Sequence, residues 1–221
     1  MVAIMKTVST DKFNWWLPKT DTHFAEMLAI NSEYQYKIKN IIADNTHLLN
    51  FDFVVDVGAN VGLWARWFAS QNAGQIICFE PIEKNLACLK KNTSDLSQIK
   101  IHNSALGNKS SFITLYIEKS ESNTGQHTID KNYFGESALL KGFTVPVATL
   151  DSYKLSPTFI KIDVQGAEMM VLEGATKTLK KHKPGLCVEC EDPDLATIKF
   201  LESIGYRVVG NTNSDFLMVA A

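Results

Sequence analysis

Val54-Val55-Asp56-Val57-Gly58-Ala59-Asn60-Val61-Gly62 decides how this chain is read. A short apolar run, of the kind that fills a strand buried on both faces, ends in an acid, turns through glycine and opens a helical segment at Leu63 to Ser70. Glycine at position 58 lets the backbone turn sharply and lets a ligand approach closely. The nicotinamide fingerprint is G-x-G-x-x-G, in which amides at a helix N-terminus meet a pyrophosphate. Here the spacing is G-x-x-x-G and Asp56 ends the strand. A carboxylate there repels pyrophosphate and attracts an ammonium group. S-adenosylmethionine offers an ammonium and a sulfonium beside a ribose.

The surrounding pattern fixes the class. From residue 51 onward, apolar runs alternate with amphipathic segments, as in βα units around a parallel sheet. The runs are Phe53 to Val55, Ile76 to Phe79, Ile99 to Ile101, Phe159 to Ile162 and Leu186 to Val188. Leu63 to Ser70, Glu83 to Lys91 and Glu168 to His182 read as helices, the last with Val171, Ala175 and Leu179 as one apolar stripe. Phe112 to Ile117 and Phe143 to Val147 read as further strands bracketing a polar segment from Lys119 to Lys141, a candidate lid carrying Asn123, Gln126 and His127. Tyr206 to Val209, the turn 210–214 and Phe216 to Ala220 form a hairpin, so the last strand runs antiparallel to its predecessor. Residues 1–50 look helical at His23 to Ile30 and Tyr36 to Ala43, which predicts an N-terminal helical cap segment ahead of a domain over 51–221. That cap is expected near the acceptor side of the sheet.

Three further strand ends carry polar groups. Glu80, followed by Pro81, lies 22 positions after Gly58 at the end of the second strand, where an acid accepts both hydroxyls of a ribose. Asn103-Ser104-Ala105-Leu106-Gly107 follows the third strand, with short side chains suited to an adenine edge. Ile160-Lys161-Ile162-Asp163-Val164-Gln165-Gly166-Ala167-Glu168 again ends a strand in an acid ahead of a helix. Asp163 and Glu189 end adjacent strands on the edge where open α/β sheets bind ligands. Either one is a candidate base, unless it pairs with a lysine such as Lys161. His127 and His23 are alternative bases or ordinary surface histidines.

With VVDVGANVG at 54–62, FEP at 79–81, NSALG at 103–107 and IKIDVQGAEMMVLEGA at 160–175, the chain resembles the FkbM-type methyltransferase family over residues 52–191. The resemblance implies a Rossmann-like class I fold with a seven-stranded, mostly parallel sheet, S-adenosylmethionine as donor, and usually methylation of a hydroxyl oxygen. By position it assigns Asp56, Gly58, Asn60, Glu80, Pro81, Ser104, Ala105 and Asp163 to the cofactor, and Asp163 and Glu189 to the acceptor side. Gln165 stands where the family more often has glutamate. The expected acceptor is a hydroxyl of a small molecule or glycan; nitrogen methylation, or an adenosyl-binding module without catalysis, is the alternative.

The rest of the sequence narrows the classes. In the 221 residues, 22 basic and 24 acidic side chains leave a formal charge of −2, so bulk charge does not hold nucleic acid. An apolar fraction of 45% with 10% aromatic residues excludes disorder as the main state. Cys187 and Cys190 spell C-x-x-C, but on a strand they point to opposite faces and cannot share a metal. No metal site is expected. Trp15 and Trp16 read as packing residues of the N-terminal segment rather than a stacking platform. No run reaches the ~18 apolar residues of a membrane span, and the first residues lack a signal-peptide pattern, so a cytoplasmic protein is expected.

Overall fold

The computed structural model describes residues 5–30, 34–130, 135, 139–192 and 194–221. Strands β1 (Met5–Ser9) and β2 (Asn14–Pro18) form an antiparallel hairpin ahead of helices α1 (His23–Ala29) and α2 (Tyr36–Asp44). There follow β3 (Phe53–Val57), α3 (Leu63–Ser70), β4 (Gln75–Phe79), α4 (Glu83–Asn92), β5 (Ile99–His102), β6 (Ala105–Leu106), β7 (Ser111–Glu118) and β8 (Leu140–Ala148). The chain closes with β9 (Phe159–Ile162), α5 (Glu168–Glu173), α6 (Thr176–His182), β10 (Gly185–Glu189), α7 (Ala196–Ser203), β11 (Tyr206–Asn211) and β12 (Asp215–Ala220).

The continuous apolar runs become the centre of a seven-stranded sheet in the order β11-β12-β10-β9-β3-β4-β5. Strands β10, β9, β3, β4 and β5 pair in parallel, and β12 runs antiparallel to both its neighbours. Alternation along each strand supplies two cores. Val55, Val57, Ile160, Ile162, Leu186 and Val188 face α5, α6 and α7. Val54, Phe159, Cys187 and Leu217 face α2 and α3. Burying one such aliphatic side chain contributes about 1.5–3 kcal/mol, so a sheet covered on both faces is held rigidly. Its carboxyl edge is therefore a firm base for a site. Cys187 belongs to one core and Cys190 to the other, as strand alternation requires.

Two local expectations are revised. The segment ahead of β3 is not helical throughout, because residues 5–18 form the β1–β2 hairpin. A single side chain explains its seat: Asn92 at the end of α4 accepts from the Trp16 N–H at 2.7 Å and donates to the Trp16 carbonyl at 2.8 Å and the Val61 carbonyl at 2.7 Å. Trp15 packs with Leu17, Phe24 and Leu28, a packing role as expected. The long helix at 168–182 is broken in two at Gly174, where an added Cβ would lie 1.9 Å from the Gly107 carbonyl oxygen. Asp151 starts the second piece, accepting from the backbone N–H of Lys177 and Thr178 at 3.0 and 2.8 Å.

The strands predicted at 112–117 and 143–147 are β7 and β8, which with β6 make a separate three-stranded sheet beside the carboxyl edge. Among the described residues no helix is long and apolar enough to cross a membrane.

Candidate functional site

A cleft opens at the carboxyl ends of β3, β4 and β9, the edge where open α/β sheets bind ligands. Its floor is the turn after β3. Gly58 has φ +80°, and a Cβ there would sit 1.9 Å from the Asp163 carbonyl oxygen, so the glycine is demanded first by the neighbouring strand. Gly58 and Ala59 N–H both donate to the Phe79 carbonyl, at 3.0 and 3.1 Å, locking the turn to β4.

Glu80 is the anchor of this half. Its carboxylate accepts from the Asn60 N–H at 2.9 Å and the Ile82 N–H at 2.8 Å. Burial nevertheless pushes the group up to about 7, with those two bonds pulling the other way. A carboxylate has about four acceptor positions, so Glu80 keeps acceptor capacity for a ligand beyond its two backbone bonds. Beside it, Asn60 Oδ1 and Asn85 Oδ1 are buried and make no hydrogen bond within the chain. Both side chains line the cleft. Orphaned acceptors in a concave site are satisfied by a ligand's donors or by water. Ser104, whose hydroxyl lies 3.2 Å from the Tyr153 hydroxyl, and Ala105 close this end together with Pro81.

The other half is built by the turn after β9. Gln165 (φ +55°) and Gly166 (φ +96°) take left-handed backbone, and the Glu168 carboxylate holds the turn by accepting from the Val164 and Gly166 N–H groups at 3.1 Å each. This aims the Gln165 amide sideways, where its Nε2 donates to Asp163 at 2.8 Å and to Glu189 at 2.7 Å. Lys161, fully buried, lies 3.2 Å from Asp163 and 3.9 Å from Asp56. Lys161 holds the Asp163 carboxyl below its ordinary range, while burial and the Asp163 charge push Glu189 well above it. The two acids titrate as a pair, and the Lys161 ammonium favours the ionised form of Asp163.

A strap crosses the cleft. Glu121 is ion-paired with Lys84 of α4 and, at 2.6 Å, with Lys141 of β8. Asn85 donates to the Thr124 carbonyl at 3.0 Å, and at the far end a Cβ on Gly166 would lie 3.8 Å from the Thr128 hydroxyl. Between these points His127 lines the cleft. Its Nδ1 is 3.0 Å from the Thr124 carbonyl, which only accepts, so the proton resides on Nδ1. Burial lowers His127 to about 4, leaving a neutral ring with Nε2 as a bare acceptor.

Of the residues singled out from the sequence, Gly58, Asn60, Glu80, Pro81, Ser104, Ala105, Asp163 and His127 line the cleft. Asp56 does not. Strand alternation turns it toward the α3 face, where both its oxygens lack a hydrogen bond and Lys161 is the nearest cation. Glu189 lies behind Gln165 rather than in the lining. Asn123 is spent on the Gly125 N–H of its own turn, and neither it nor Gln126 reaches the lining, whereas Thr124, Gly125 and His127 do. His23 is exposed on α1. Residues 131–134 and 136–138 of the candidate lid lie outside the described residues. The sequence reading missed Tyr34, Asn85 and Thr124. The Lys161–Asp163 pair answers to a visible signal, since a lysine inside a buried apolar strand needs a counter-ion. Among the described residues no group of three or more His, Cys, Asp or Glu side chains is placed to hold a metal.

Comparison with known proteins follows the same lines. No curated protein matches the chain. Among solved structures, the FkbM methyltransferase of Methylobacillus flagellatus is 21% identical, with a TM-score of 0.55 over 80% of this chain and 46% of its own, so this chain spans just under half of that protein. Magnesium protoporphyrin IX methyltransferase of Synechocystis is similar at 10% identity and a TM-score of 0.49, covering 90% of this chain and 85% of its own. The tRNA (uracil-54, C5)-methyltransferase of Pyrococcus abyssi is similar at 11% identity and a TM-score of 0.49, covering 99% and 44%. The model of the methyltransferase FkbM domain matches residues 56–208, more than two thirds of the sequence, and the chain belongs to the FkbM methyltransferase family.

Proposed function

We propose that the protein is an S-adenosylmethionine-dependent methyltransferase that methylates an uncharged hydroxyl, of a small molecule or glycan. The observation that carries the cofactor is Glu80 with its neighbours. A buried carboxylate with acceptor capacity left suits the hydroxyls of a ribose, and the orphaned Asn60 and Asn85 oxygens supply acceptors beside it. Ser104 and Ala105 suit the base, and Asp163, ionised at the opposite end, suits an ammonium. When bound, the cofactor supplies a methyl group already activated by its sulfonium.

The chain's own residues then have two tasks. Positioning and exclusion of water fall to the strap, which lies over the cleft from α4 to the turn after β9. Proton removal falls to His127, whose unprotonated Nε2 is the available base. Glu189 lies behind Gln165 outside the lining, and the Asp163 carboxylate is already engaged by Lys161 and the Gln165 amide. The acceptor class follows from charge: Lys161 is the one cation in the described lining and is committed to Asp163, so an anionic acceptor finds no partner.

Calorimetry with S-adenosylhomocysteine and with NAD tests the cofactor. Binding of the first and not the second is expected, and the reverse overturns the reading. Turnover is then scored as S-adenosylhomocysteine release over a panel of neutral polyols, amines and carboxylates. Release driven by amines rather than polyols overturns the hydroxyl assignment.

A further inference from the structure

Asp21 lies ahead of the family-matched residues and has no exposure at all. A buried carboxylate is tolerated when it is hydrogen-bonded, and the bonds of Asp21 tie two distant parts of the chain together. One oxygen accepts from the Phe24 N–H at 2.8 Å, in the first turn of α1. The other accepts from both the N–H and the hydroxyl of Thr124, at 2.9 and 2.5 Å, across 103 residues of sequence. The Thr22 and His23 N–H groups donate to the Ser122 carbonyl at 2.9 and 3.0 Å, so the same stretch grips the strap twice. The Thr124 carbonyl, fixed in this way, receives the His127 Nδ1–H at 3.0 Å.

We propose that Asp21 is a positioning residue for His127: by holding Thr124 it holds the carbonyl that keeps the ring proton on Nδ1 and leaves Nε2 bare toward the cleft. The inference rests on the reading of His127 as the proton acceptor. An imidazole without such a partner distributes its proton over both nitrogens, and only one of the two tautomers leaves Nε2 able to accept. The charged groups facing the ring are Glu121 on the strap, Lys84 on α4 and Lys141 on β8; the lysines and burial favour the neutral ring, while Glu121 and the Thr124 bond oppose them. The Thr124 carbonyl is the group that meets a ring nitrogen directly, and it can only accept, so it fixes the proton on Nδ1.

The test needs no acceptor. Long-range proton–nitrogen spectra of the full chain labelled in its histidines report tautomer and titration, with His127 identified by its loss in His127→Gln. Wild type is expected to show a single neutral form with Nε2 unprotonated between pH 5.5 and 8. Asp21→Asn removes one acceptor, leaving either Thr124 or Phe24 facing an amide donor. His127 should then show both tautomers. Thr124→Val keeps the backbone bond and loses only the hydroxyl bond, so it folds more readily and should give an intermediate mixture. A merely structural Asp21 would lower the melting temperature in both variants and leave the tautomer unmoved, and that result overturns the proposal, as does a wild-type ring protonated on Nε2. S-adenosylhomocysteine calorimetry on the same samples keeps the two readings apart: absence of wild-type binding defeats the cofactor assignment and leaves the tautomer result standing.

Discussion

The two halves of the cleft solve the problem of a buried charge in opposite ways. At the ends of β3 and β4, Glu80 is held by the backbone N–H groups of residues 60 and 82, and among the described residues no ion pair compensates it. At the ends of β9 and β10, Asp163 is held by side chains alone, Lys161 and Gln165 from its own strand end and Gln35 from 128 residues away. A group fixed by backbone is positioned even before a ligand arrives, and its raised protonation midpoint makes it ready to strengthen when donors appear. A group fixed by side chains depends on every member of the network. The first half is a template, and the second is an assembly.

The largest effect is expected where the assembly loses its cation. Lys161→Met leaves Asp56 and Asp163 buried without their counter-ion, and breaking a buried pair on one side costs about 3–5 kcal/mol. Urea unfolding at pH 8 measures it. A loss under about 1 kcal/mol would mean that solvent, and not Lys161, stabilises the two acids.

Next comes the template. Glu80→Ala removes the ribose acceptor while leaving the sheet intact, and S-adenosylhomocysteine affinity should fall roughly 10- to 150-fold, the equivalent of about 1.5–3 kcal/mol for bonds to a charged group. Wild-type affinity by calorimetry would remove Glu80 from the site. The same residue gives a pH signature without ligand. Its folded-state midpoint of about 7 is raised above the ordinary glutamate value of about 4.3, so the stability tied to its proton is present below pH 4.3 and is lost as pH rises through 7. Glu80→Gln fixes the neutral form. The melting-temperature difference between this variant and wild type should grow in the variant's favour from pH 5 to pH 7.5, and a difference independent of pH would mean that Glu80 is already ionised at pH 5.

The template was also the legible half. Asp56, Gly58 and Glu80 lie at strand ends that apolar runs mark directly, so spacing alone brought most of its residues to one edge. What spacing did not reveal was direction: Asp56 sits one alternation away from the cleft, and a strand's two faces look alike when both are buried. In the assembly, Lys161, Asp163, Gln165 and Glu189 were legible at their strand ends, whereas the bond from Gln35 and the seating of the strap meet only in space. Nothing in Asp21 or Thr124 announces their bond, and the β1–β2 hairpin depends on Asn92 far down the chain. The helix at 168–182 carried a faithful apolar stripe, but its break at Gly174 depends on how closely Gly107 passes.

The smallest effect compares how strongly the two halves hold the cofactor. Gln165→Glu replaces the amide that donates to Asp163 and Glu189 with a third carboxylate beside them. In the unfolded chain the new group titrates near the ordinary value of about 4.3. In the folded protein the neighbouring acids raise it, so the penalty is absent at low pH and grows as pH rises past that value. The variant should lie nearest wild type in stability at pH 4.5 and lose about 1–2 kcal/mol more by pH 8, one pKa unit being worth about 1.4 kcal/mol. S-adenosylhomocysteine affinity at pH 7 should change less than in Glu80→Ala, because Glu80 keeps its backbone donors while only the surroundings of Asp163 are altered. An affinity loss as large as that of Glu80→Ala would mean that the Asp163 end holds the cofactor as strongly as the Glu80 end does.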